Sequence, residues 1–135
     1  ELLADGEDVL ILAIGHSVTE AMEARQMLAD EDDVSAAVVN ARFVKPVDAE
    51  LISRMIEKIP RVVTVEENVV HGGFGSAVLE AMADAGVTGF QITRLGIQDT
   101  FVTHGDKTTL RAHYGVDART VVDAARALCR QKQLT

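Results

Sequence analysis

The chain has no tryptophan, one tyrosine and four phenylalanines, so aromatic residues make up only 4% of it. Any interface it builds must rest on aliphatic contacts and loops instead of large aromatic anchors. Its single cysteine, Cys129, cannot form an internal disulfide, which fits a reducing compartment such as the cytoplasm. Basic residues are outnumbered: 13 Lys and Arg stand against 21 Asp and Glu, for a net charge of −8. Without a clustered basic face, nucleic acid and anionic membrane surfaces are excluded as partners. No apolar run approaches the roughly 20 residues of a membrane span. Nor does a positively charged start followed by an apolar stretch mark a secretory signal.

What is present reads as one α/β domain. A length of 135 residues, 47% of them hydrophobic, suffices for a substantial core. Apolar runs alternate with helical stripes. Val9–Ile14 is a continuous apolar run, the mark of a strand covered on both faces. Ser17 and Glu20 are spaced as a capping box, and Val18, Ala21, Met22 and Leu28 then give a helical stripe. Ala36–Ala41 reads as a second buried strand. Asp48 is placed to cap a helix with the stripe Leu51, Ile52, Met55, Ile56 and Ile59, ended by Pro60. Val62–Val65 and Phe90–Leu95 are the next strands, and between them Ala77, Val78, Ala81, Met82 and Ala85 stripe a helix with Gly86 at its C′ position. A short helix is expected near Lys107–Tyr114 and a last one over Ala118–Lys132, with Cys129 on its core face. Residues 1–4 suit an extra edge strand, and the acidic run Asp30–Asp33 reads as a solvated loop. Together these elements predict a three-layer α/β/α fold with a mostly parallel sheet of about five strands.

The most informative stretch is Arg61–Glu80, RVVTVEENVVHGGFGSAVLE. It runs strand, loop, helix, and sets Glu66, Glu67, Asn68, His71 and three glycines at the carboxyl end of a strand, where open α/β sheets carry their functional loops. Three chemistries can be weighed there and nearby. Gly15-His16-Ser17 begins like a nucleophile elbow, but Thr19 replaces the closing glycine, so a hydrolase is disfavoured. The HGGFGS loop, residues 71–76, could cradle an anion at a helix N-terminus. Its spacing is not that of a dinucleotide-binding loop, however, and two carboxylates precede it. A tight turn allowing a neighbouring domain or subunit to approach closely is the stronger reading. His71, His104 and His113 lack metal-ligand spacing. Arg42 and Lys45 are expected to pair with Glu66 and Glu67 across the sheet edge, while Glu66 and Glu67, adjacent in a strand, face opposite sides and cannot act as a paired acid and base.

Three segments carry a family likeness: VVNARFVKPVD at 38–48, the stretch 63–80, and LGIQDTFVTHG at 95–105. With the opening GEDVLILAIG and the closing YGVDA, they make the chain resemble the C-terminal domain of the 1-deoxy-D-xylulose-5-phosphate synthases. ARFVKP followed by a valine and aspartate is the most specific element. The family commonly has a proline just after Gly96, where this chain has Ile97 and Gln98. Transketolases and the beta subunits of 2-oxo-acid dehydrogenases share the fold and the E-E…G-G-x-G loop. The resemblance implies a parent enzyme that condenses pyruvate with glyceraldehyde 3-phosphate, releasing carbon dioxide, toward isoprenoid, thiamine and pyridoxal synthesis. It further implies that thiamine diphosphate and Mg²⁺ are held by two preceding domains, which a G-D-G…N stretch upstream would mark. No catalytic, cofactor or metal residue then falls on this chain, and no cofactor is bound by it alone. It would pack on those domains and contribute to a homodimer. Arg42, Lys45, Glu67, Asn68, His71, Gly72, Gly73, Phe74, Gly75 and Ser76 are the expected contacts, so that a charge at Phe74 should weaken assembly. A chain starting at Glu1 directly before a strand is expected to be one piece of such a polypeptide. A free-standing anion-binding module is the reading from another class.

Overall fold

In a computed structural model, residues 1–41, 48–69, 73–97 and 117–134 are described. The chain order is β1 (Leu2–Ala4), β2 (Val9–Ala13), α1 (Ser17–Asp32), β3 (Ala36–Asn40), α2 (Ala49–Lys58), β4 (Arg61–Val69), α3 (Phe74–Asp84), β5 (Gln91–Ile97) and α4 (Ala118–Leu134). The sheet order is β1-β3-β2-β4-β5. β2 pairs in parallel with both β3 and β4, β5 in parallel with β4, and β1 antiparallel with β3. The expected fold class and the extra edge strand are both present.

The continuous apolar run of β2 is explained by its central place. Every residue from Val9 to Ala13 is buried. Val9, Ile11 and Ala13 join Val38, Val63 and Val65 beneath α1 and α4. Leu10 and Leu12 join Val39 and Val62 beneath α2 and α3. Strand alternation therefore feeds two cores, one on each face. α2 follows its sequence pattern closely. The Asp48 carboxylate accepts the Leu51 N–H at 3.1 Å, and Ile52, Met55, Ile56 and Ile59 are buried, each such side chain contributing about 1.5–3 kcal/mol. α3 ends in a Schellman motif: Gly86 N–H donates to Ala83 O and Val87 N–H to Met82 O. Gly86 sits at φ +73°, a left-handed conformation that costs glycine nothing.

Several expectations need correction. Ser17 is not an N-cap: His16 holds that position with no side-chain bond, and Ser17 is the first helical residue, fully buried. Met22 lies on the outer face, because α1 turns Ala21, Ala24 and Leu28 inward, and the small alanines let the helix lie close on the sheet. β4 runs four residues past Val65, since β5 continues to pair with it as far as Val69 opposite Ile97. Cys129 is only partly buried, though it packs against the core beneath α1 and α4. The helix expected near Lys107–Tyr114 lies outside the described residues.

The acidic run at 30–33 is not a loop. Asp30, Glu31 and Asp32 form the last turn of α1, and Asp33 caps it in the left-handed conformation. Acids at a helix C-terminus oppose the helix dipole. Arginines from α4 offset them: Arg119 donates to both Glu31 oxygens at 3.1 Å, and Arg126 to Asp32 at 2.6 Å and Glu31 at 2.9 Å. The Arg119 hydrogen bond, with Arg126 assisting, holds the Glu31 carboxyl below its ordinary value of 4.5. Its contribution to stability is therefore present above that value and is lost as pH falls through the lowered one. Arg126→Ala and Asp32→Ala are each expected to lower the melting temperature, with the double variant losing less than the sum. The coupling should shrink in about 1 M salt, where screening acts over roughly 3 Å. Additive losses, unchanged by salt, would show that α1 and α4 are joined by packing alone.

Candidate functional site

In a doubly wound sheet, ligands enter where successive crossovers diverge, at the carboxyl ends of the strands. Here β2 leads by way of α1 to β3 on one side, and β4 by way of α3 to β5 on the other. The divergence therefore falls between the ends of β2 and β4, next to the stretch the sequence singles out. Two of the chain's own side chains fill that place.

Ser17 fills the first position. Its hydroxyl accepts the Ile14 N–H at 3.2 Å and lies within donating distance of two carbonyls, Ile14 O at 2.5 Å and Val65 O at 2.8 Å. Ile14 N–H also reaches Val65 O at 3.2 Å. The serine thus stitches the end of β2 to β4. Being wholly buried and committed to main-chain groups, it cannot serve as a nucleophile, which disposes of the hydrolase reading.

Glu66 occupies the second. Along β4 the even-numbered side chains Val62, Thr64 and Glu66 share the face covered by α3, where Val62 packs in the core. Glu66 is 0% exposed. Its carboxylate accepts the N–H of Phe74 at 2.6 Å and of Gly75 at 3.3 Å. These are the first two amides of α3, whose N-cap, Gly73, has no side chain to cap them. A carboxylate there also complements the helix dipole. Burial pushes the Glu66 carboxyl above its ordinary 4.5, opposed by the two N–H bonds and by the Arg94 charge. A carboxyl raised in the folded state contributes its stability in full below 4.5 and loses it as pH rises through the raised value.

Arg94 completes the group from β5. It lies opposite Thr64 in the ladder and donates to Ser76 Oγ at 3.0 Å. Gly75 is wedged among these side chains: a Cβ there would lie 2.7 Å from Thr64 Oγ1 and 2.9 Å from Arg94 Cγ. At Gly75 the close approach is thus made by α3 on its own strands, within the glycine turn at which a neighbouring domain or subunit is expected. Phe74 is likewise corrected as a docking group. Its ring is 0% exposed within the core beneath α2 and α3, so a charge at Phe74 would act on the fold first.

Of the remaining expected contacts, Glu67, Gly73 and Ser76 are partly exposed, and Asn68 lies in β4. Arg42, Lys45, His71 and Gly72 lie outside the described residues. Glu66 is bonded to the start of α3, while Arg42 and Lys45, its expected partners across the sheet edge, lie outside the described residues. The capping role was missed in the sequence although a signal for it exists: two glycines stand where a capping side chain belongs, and a carboxylate stands at a core-facing position of the preceding strand.

The fit to a diphosphate and a divalent cation can be judged on these donors. The first two amides of α3 are already taken by Glu66. Among the described residues no group of three or more His, Cys, Asp or Glu is placed to hold a metal ion. The described residues do not fit such a cofactor.

Comparison with known proteins identifies the family. Residues 1–121 match the family model for the transketolase C-terminal domain. The chain is 48% identical over 132 residues to 1-deoxy-D-xylulose-5-phosphate synthase 1 of Geobacter sulfurreducens, covering 98% of this chain and 21% of that protein. It is 49% identical over 128 residues to the synthase of Heliobacterium modesticaldum, covering 95% and 20%. The chain thus spans about a fifth of the length of these relatives and matches their C-terminal domain. Among solved structures, a split-gene transketolase described as an inactive beta4 tetramer superposes with a TM-score of 0.85 at 35% identity, over 96% of this chain and 42% of that one. Transketolase from Leishmania mexicana shares the fold, with a TM-score of 0.65 at 20% identity over 97% of this chain and 18% of that one.

The wedge at Gly75 gives a direct test. Gly75→Ala is expected to destabilise the chain by about 1–3 kcal/mol in urea unfolding, as overpacking does. Thr64→Ala in the same chain should recover part of that loss, because it removes the nearest obstructing atom. No recovery would place the clash elsewhere.

Proposed function

The chain belongs to the transketolase C-terminal domain family, and from that premise we propose that it works as the non-catalytic C-terminal domain of a 1-deoxy-D-xylulose-5-phosphate synthase. The parent joins pyruvate to glyceraldehyde 3-phosphate with loss of carbon dioxide, using thiamine diphosphate and Mg²⁺ held by the preceding domains of the same polypeptide. The role of this domain is to pack against those domains and to contribute to a homodimer, through a surface that includes Glu67, Gly73 and Ser76.

The observation that supports the reading is the pair of internal hydrogen-bonded groups that the described residues place at the switch point. Ser17 and Glu66 take up, with the chain's own hydroxyl and carboxylate, the positions where a doubly wound sheet would receive a ligand. A domain built that way offers scaffold and surface more readily than chemistry. The same bonding argues against a free-standing anion-binding module, because the α3 amides an anion would use are spent on Glu66. Identities of 48% and 49% to synthases, against 35% and 20% to the two transketolases, favour the synthase over its superfamily neighbours. The inactivity stated for the split-gene β chain, which contains the matching domain, is consistent with reacting groups lying outside it. No helix of the described residues is long and apolar enough to cross a membrane.

Titration calorimetry of the isolated chain with thiamine diphosphate and Mg²⁺ is expected to show no heat of binding. Micromolar binding would overturn the assignment of the cofactor to other domains.

A further inference from the structure

We propose that the β1 edge of the sheet seats the preceding part of the parent polypeptide: the segment leading into this domain packs across Leu2, Leu3 and Met22. The proposal rests on the reading above that the chain is the C-terminal domain of a longer enzyme. It names a surface apart from the one that includes Glu67, Gly73 and Ser76.

Exposed apolar side chains gather at one edge. Among the described residues the large hydrophobic side chains left exposed are Leu2 at 45%, Leu3 at 38% and Met22 at 36%. Leu2 and Leu3 belong to β1, which stands at the end of the strand order beside β3. Met22 comes to the same edge from α1. One turn further along that helix, Arg25 donates to Ala36 O of β3 at 3.1 Å, so this side of α1 overlooks β3. As a crossover between parallel strands, α1 runs back against them. Met22 is thereby nearer the carboxyl end of β3 than Arg25, level with the stretch where β1 pairs with Val38 and Val39. Ala4, opposite Val38, packs against the core beneath α1, whereas Leu2 is opposite Val39 of the other core. The apolar surface therefore wraps the edge strand from both faces. β1 itself, Leu-Leu-Ala, has none of the charges or prolines that keep a free edge from pairing.

The direction of β1 indicates what covers it. Glu1 N donates to Asn40 O at 2.9 Å and Asn40 N–H to Glu1 O at 2.8 Å. The antiparallel pairing thus reaches the last residue of β3, and a segment preceding β1 meets the fold at the carboxyl end of the sheet. The chain spans about a fifth of the length of its synthase relatives and matches their C-terminal domain, so in such a parent most of the polypeptide comes in along this edge. Tethering gives the incoming segment an effective concentration there that a second copy lacks.

The test is made on the full-length parent carrying this domain. Leu3→Cys and Met22→Cys are each expected to react with iodoacetamide about tenfold more slowly than Ala83→Cys, at an exposed position of α3, when followed by peptide mass spectrometry. Equal rates would overturn the proposal. A photoreactive benzoylphenylalanine in place of Leu3 identifies the occupant: irradiation should join it to a peptide from ahead of Glu1 in the same polypeptide. A cross-link to a second copy, or none, would overturn the proposal as well. Failure of the underlying functional reading would register differently, as absence of thiamine-dependent turnover in a wild-type parent, whatever the cross-link shows.

Discussion

One buried carboxylate organises the end of the molecule that matters. Glu66 leaves β4 pointing toward α3 and satisfies the two amides that a Gly-Gly entry leaves uncapped. Burying a carboxylate without partners is prohibitive, so helix and strand are mutually dependent: α3 needs the acceptor, and the acceptor needs α3. Gly75 follows from this coupling. For the amides to reach Glu66, the helix must start close to the sheet, and close packing on Thr64 and Arg94 admits no side chain at that position.

A parallel economy operates one strand away. Ser17 joins the ends of β2 and β4 through main-chain carbonyls. In many doubly wound proteins the space between such strand ends is open and lined by loops that bind ligands. In this domain the described residues there are joined by internal hydrogen bonds. The described side chains at the switch point thus serve cohesion between strands and helix.

Much of the architecture was legible because it rests on periodicity. The run Val9–Ile14 announced a central strand, and Asp48 with the stripe Ile52, Met55, Ile56 and Ile59 announced α2 with its cap. Gly86 marked the end of α3. What escaped depended on partners distant in sequence. Ser17 looked like a local cap because Glu20 follows at the right spacing, but its partner Val65 lies 48 residues on. Asp30–Asp33 looked like a solvated loop because the arginines that compensate it are on α4, 88 or more residues away. Phe74 looked like a docking residue because it stands in a glycine-rich turn, whereas the helix begins at Phe74 itself and carries the ring inward. The resemblance to the synthase family reached further than periodicity could, since ARFVKP and the E-E…G-G-x-G order encode ancestry more than local geometry.

The most direct test of the account is an NMR titration of the isolated chain that follows the amide protons of Phe74 and Gly75. Both resonances should shift together with Glu66 in a single transition above the ordinary carboxylate value of 4.5, and neither should titrate in Glu66→Gln. Amides that stay indifferent to pH, or that exchange with water as freely as an uncapped turn, would show that Glu66 does not hold the start of α3.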